Sequence, residues 1–145
     1  MNKKLTTLLF FGGLSLMNAQ WSKVTPNETI TRKSDNSVYY KLDINTIRGQ
    51  LLAADKIENS AGKVTVSLPT ADGKIERFSV NSFPVMDEAW ANQYQLGSYV
   101  GVGIDDPSKY VRFSVAPNDF QSMMISNGKY EFIEPATDSK SFLFH

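Results

Sequence analysis

Asn127-Gly128, set between Met123-Met124-Ile125-Ser126 and Lys129-Tyr130-Glu131-Phe132-Ile133, leaves this part of the chain little choice of structure. A two-residue Asn-Gly loop between apolar runs takes positive φ at both positions and makes a type I′ hairpin, whose twist matches the strands it joins. Upstream, Phe120 to Ser126 follows an Ala116-Pro117-Asn118-Asp119 turn, and Lys109 to Val115 is dense in β-branched and aromatic residues. Ile104-Asp105-Asp106-Pro107-Ser108 turns the chain again, with proline presetting φ and aspartate able to bond its own backbone. Before it, Tyr99-Val100-Gly101-Val102-Gly103 reads as a strand whose glycines leave one face bare, open to close approach by another backbone or a bulky ring. Tyr99 to Pro135 therefore predicts an antiparallel meander.

The rest of the chain extends this pattern. Lys63 to Leu68 alternates, placing Val64, Val66 and Leu68 on one face, and after Pro69 and the Asp72-Gly73 turn Lys74 to Val80 runs back with Phe78 and Val80 together. Val38 to Leu42 reads as a strand, and Trp21 to Asn36 as an entry segment or short edge strand. Asp43 caps a helix over about 44–54, with Ile44, Ile47, Leu51 and Leu52 along one face. Gly49 inside it costs about 1 kcal/mol relative to alanine, so the helix depends on packing against the sheet. A short helix follows near 87–93 with Asp87 as its cap, and Ser141 to His145 forms a final edge strand. The expected fold is mainly β: an antiparallel meander or sandwich-like sheet with one packed helix and one short one.

Residues 1–19 have the parts of a secretory signal peptide: Lys3-Lys4, an apolar stretch from Leu5 to Met17, and a cut near Ala19. This 13-residue stretch falls short of the roughly 20 residues that cross a bilayer. The reading is a secreted protein, extracellular or periplasmic, with residues 20–145 as a single domain that leaves the membrane once the leader is removed. That domain carries 13 basic against 15 acidic residues, which argues against a nucleic-acid footprint. The chain has no cysteine, so packing and hydrogen bonds must hold it together.

Little in the sequence supports catalysis. One histidine, no cysteine and no H-E-x-x-H segment cannot supply a zinc enzyme's ligands, and a lone His145 gives no triad. Asp87-Glu88 is better explained by helix capping than as a glycosidase pair. Asp105 and Asp106 have two readings: a calcium site, or a structural turn in which one caps and the other is solvated. Arg112 shares a strand face with Tyr110 and Ser114; it either meets a carboxylate of a partner domain or lays its stem over an aromatic ring. Tyr99, Tyr110, Phe113, Phe120, Tyr130 and Phe132 are either core or the lining of a groove.

The order Tyr99-x-Gly101-x-Gly103-Ile104-Asp105-Asp106-Pro107-Ser108, then Val111-Arg112-Phe113-Ser114-Val115, then Tyr130-x-Phe132-Ile133-Glu134-Pro135 resembles the pro-domain of secreted bacterial reprolysin-like zinc metallopeptidases. More distantly it is similar to the pro-domain of the ADAM/reprolysin family, and the resemblance runs from about Trp21 to the end. It implies a non-catalytic segment that covers the active-site cleft of a metallopeptidase catalytic domain, normally in cis, and assists its folding. Zinc is then expected only in that catalytic domain, which these residues lack, and this chain itself needs no cofactor. Tyr99, Gly101, Gly103 and Arg112 become the partner-facing residues, with Asp105-Asp106 in a structural turn. Animal-type members use a cysteine to cap the catalytic zinc; this chain has none, which leaves steric cover or another ligand. The alternative is a free-standing secreted β-sandwich module for glycan or cell-surface polymer, which calls for a row of aromatics on one solvent-facing sheet surface.

Overall fold

The computed structural model describes residues 20–25, 37–54, 63–136 and 141–144. The expected signal peptide and His145 lie outside these residues. Nine strands and two helices follow in the order β1 (Trp21–Val24), β2 (Val38–Leu42), α1 (Ile44–Leu51), β3 (Val64–Pro69), β4 (Ile75–Ser82), α2 (Glu88–Tyr94), β5 (Gly97–Gly103), β6 (Tyr110–Ala116), β7 (Asp119–Ser126), β8 (Lys129–Pro135) and β9 (Ser141–Phe144). Their order in the sheet is β1-β2-β9-β8-β7-β6-β5-β4-β3, and every neighbouring pair is antiparallel. From β3 to β9 the chain is one continuous meander, and its first six strands curl into a half-barrel. The β1–β2 hairpin then adds to the far side of β9.

Local chemistry sets the corners. Asn127 and Gly128 have φ of 50° and 75°, as a type I′ turn requires, and Ser126 pairs with Lys129 across them. Asp43 caps α1 by accepting from the Thr46 N–H at 3.2 Å and the Thr46 hydroxyl at 2.8 Å. Asp87 does the same for α2, accepting from the Ala89 N–H at 2.9 Å. Pro69 lies on β3, an edge strand, where a missing N–H is tolerated.

The inner face holds one core. Phe78, Val80, Val66 and Leu68 from β3 and β4 meet Val111, Phe113, Val115, Phe120, Met124 and Ile133 from β6 to β8, and Ile47 and Leu51 of α1 close over them. Trp21 joins this core although it belongs to the strand at the opposite end of the sheet order from β3. Its indole N–H donates to the Ser67 carbonyl at 2.9 Å, so the sheet has curled until its two edges meet. Its ring meets Phe120 edge-on at 5.2 Å and Tyr40 at 6.3 Å, while Phe120 stacks on Phe113 at 5.5 Å and Phe113 on Tyr99 at 5.2 Å. An unbroken run of rings thus crosses the interior from β2 to β5.

Two expectations change. The first helix ends at Leu51, with Leu52 as its C-cap and 88% exposed, because the buried stripe is already complete at Ile47 and Leu51. Ser141–Phe144 is an interior strand between β2 and β8, whereas the edges are β1 and β3. A strand closing the chain was read as an edge, but the β1–β2 hairpin covers it.

The Trp21 bridge predicts that Trp21→Phe, which keeps a ring but removes the N–H, lowers unfolding free energy by about 1–3 kcal/mol through the orphaned Ser67 carbonyl. Urea denaturation checks this; an unchanged midpoint would show that the two edges do not depend on the bridge.

Candidate functional site

Antiparallel neighbours directly opposite one another point to the same side, so the register fixes what the outer face carries. One outward row reads Val102, Tyr110, Ile125, Tyr130 across β5 to β8, and the next reads Val100, Arg112, Met123, Phe132. Seven of these eight residues are apolar or aromatic, yet the core lies on the other side of the same strands. Val102, Tyr110 and Tyr130 are exposed, and Val100, Met123, Ile125 and Phe132 are half-buried. Tyr130 and Phe132 stack at 6.5 Å and 13°. The strands β5 to β8 are therefore apolar on both faces, whereas an antiparallel sheet with a single core normally shows polar residues to water.

Arg112 is the one charge within this block. It is exposed, and its guanidinium carbon lies 4.8 Å from the centroid of the Phe83 ring, so the charged head of the side chain, rather than its stem, meets an aromatic ring. A groove of about 620 Å³ runs beside it, lined by Phe83, Val100, Val102, Tyr110, Met123 and Ile125. Lys63 and the buried amide of Asn81 complete its polar side.

The other three residues expected to face a partner turn inward. Gly101 lies opposite Val80 and Val111, and a Cβ added there would meet Val80 Cγ1 at 2.5 Å and the Ser79 carbonyl at 2.9 Å. At Gly103 an added Cβ would collide with the Asp106 carbonyl. Close approach at these glycines was read correctly, but the approaching groups belong to this chain. Tyr99 packs against the core beside Phe113, and burial pushes its hydroxyl pKa up. Phe113 and Phe120 are likewise core, so the six aromatics divide: Tyr110, Tyr130 and Phe132 lie on the outer face and the other three inside.

Asp105 and Asp106 diverge. Asp105 accepts from the Arg77 backbone N–H at 2.6 Å and from its guanidinium at 2.7 and 3.1 Å, while Ile104 N–H donates to the Arg77 carbonyl. The turn is thereby buttoned onto β4. Asp106 accepts instead from the Ser108 N–H and hydroxyl, at 3.0 and 2.7 Å. Both carboxylates are held below the usual range, chiefly by these side-chain hydrogen bonds. Among the described residues no group of three or more His, Cys, Asp or Glu gathers to hold a metal. Lys109 and Glu76 form a largely buried ion pair at 2.5 Å. Burial opposes the Lys109 charge, but the bond to Glu76 and nearby carboxylates outweigh it and raise its pKa.

The sequence carried a signal for the outer face: Met123-Met124-Ile125 is an unbroken apolar run inside a strand, which a sheet with one wet face does not need. Neither a protein-family model nor a curated protein nor a solved structure matches this chain.

Because the folded Asp105 pKa is lowered, its ion pair stabilises fully above the ordinary carboxylate range and is lost as pH falls through the lowered value. Urea midpoints measured from about pH 6 down to about pH 2 should fall more steeply for the native chain than for Asp105→Asn, which starts lower at neutral pH. Parallel curves would show that the Arg77 contact contributes nothing.

Proposed function

We propose that this chain is a non-catalytic pro-domain of a secreted zinc metallopeptidase precursor, covering the catalytic domain with the outer face of β5 to β8. The observation that carries the reading is the two-faced sheet. A block of Val, Ile, Met, Tyr and Phe around one Arg, with no acid in its two rows, has the composition of the core of a protein–protein interface. The partner's identity comes from the resemblance of the Tyr99–Pro135 motifs to reprolysin-like pro-domains. Tethering makes such cover effective, since a linked partner sees an effective concentration in the millimolar range and modest affinity keeps the cleft occupied until the linker is cut. With no cysteine to reach a zinc ion, latency rests on steric cover or on another ligand.

A second reading, a glycan-binding module, draws on Tyr110, Tyr130 and Phe132 on the outer face and on the exposed stacked pair Trp90 and Tyr94 of α2. The first reading accounts for more of the face, because branched and thioether side chains interrupt the rings and leave no flat platform for a sugar.

The test is expression of a reprolysin-like catalytic domain from the same precursor, with and without residues 21–145. The expected result is a silent precursor that activates on cleavage, and poor folding or unregulated activity when these residues are missing. A catalytic domain that folds, stays silent and activates identically in both cases, with glycan-array binding by the isolated chain, would replace this reading by the second.

A further inference from the structure

We infer that the groove at the centre of the outer face takes an apolar segment of the partner catalytic domain that carries a carboxylate, with Arg112 as its anchor and Lys63 as a peripheral cation. This rests on the proposed covering of a catalytic domain and specifies the chemistry of the surface that is covered.

The argument is charge complementarity. The groove lining contains two cations, Arg112 and Lys63, and no acid. Among the described residues neither cation has an ion-pair partner. Glu134, on the same side of the sheet, lines the adjoining depression, which Arg112 also borders, but the two form no ion pair. An unpaired guanidinium amid apolar side chains is costly to cover unless the covering surface supplies an anion. Arg112 is also prepared for one. Its contact with Phe83 limits the orientations of the guanidinium plane, and a planar fork of donors matches a carboxylate in bidentate geometry. Val100, Met123 and Ile125 give apolar flooring beside it, so the fitting segment has apolar side chains next to the acid.

Lys63 stands apart from this anchor. It immediately precedes β3, whereas Arg112 is on β6, three strand spacings away, or roughly 14 Å at the usual separation of paired strands. One carboxylate does not satisfy both. Lys63 is exposed and sits at the rim, where a cation governs the approach of an acidic surface more than the lifetime of the complex.

Residues 21–145 and the separately expressed catalytic domain are mixed in trans and followed by biosensor kinetics at low and high salt. Arg112→Met keeps an unbranched side chain of similar length beside Phe83 but removes the charge, and should raise the dissociation rate at least about tenfold. Lys63→Met should slow association at low salt, and the difference should vanish at high salt. Met123→Lys should weaken binding at either salt. If Met123→Lys disrupts the complex while Arg112→Met and Lys63→Met bind like the native chain, the inference is overturned and the covering face stands. If the native chain binds no catalytic domain at all, the pro-domain reading fails and takes the inference with it. Thermal melts of each variant confirm that the sheet is intact.

Discussion

The structure depends on a sheet that must meet itself. Eight antiparallel steps separate β1 from β3, so these two edge strands run in the same direction and the regular antiparallel ladder does not continue between them. The Trp21 indole instead reaches across the junction to the Ser67 carbonyl and takes the place of a backbone donor. Around it, Trp21, Phe120, Phe113 and Tyr99 pass the contact inward from ring to ring, and α1 lays Ile47 and Leu51 over the same interior. A chain with no cysteine needs such a core, because nothing covalent limits its unfolded ensemble.

From β3 to β8 curling hides one face of each strand and commits the other to the outside. On β3 and β4 that outer face is conventional: Thr65, Ser67, Ser79 and Arg77 are polar. Across β5 to β8 it is not, and the change coincides with the meander from Tyr99 to Pro135. The glycines of β5 belong to the inner side of the same arrangement. With no side chains there, Val80 and Val111 fill the space at Gly101, and the Asp106 carbonyl closes over Gly103. A tight interior under β5 fixes the outward set of Val100 and Val102, so one strand links core packing to the surface that the proposed function uses.

Much of this was legible in the sequence. Asn127-Gly128, the alternation in Val64–Leu68 and the capping aspartates Asp43 and Asp87 are local signals, and each gave its element. The turn at Ile104–Ser108 was also placed, with Asp106 bonding its own backbone through Ser108. Its anchor was not foreseen, because Arg77 is 28 residues from Asp105 and no local rule links them. The glycines misled for a related reason: bare backbone signals close approach but does not say whose atoms come close. Alternation likewise separates the faces of a strand without naming the inner one, and on β5 to β8, where both faces are apolar, hydrophobicity alone could not decide. Tyr99, which the resemblance put on the partner side, packs against the core, and only Arg112 of the four expected residues faces outward.

Met123 and Met124 provide a direct test of the central claim, since they are adjacent in the chain but lie on opposite faces of β7, the first half-buried on the outside and the second 1% exposed in the core. Mild peroxide oxidation followed by peptide mass spectrometry reads them separately. The account predicts that in isolated residues 21–145 Met123 is oxidised while Met124 is spared, and that in the uncleaved precursor both are protected. Equal oxidation of Met123 in the isolated domain and in the precursor would contradict it, because the outer face would then be bare where a partner is proposed to lie.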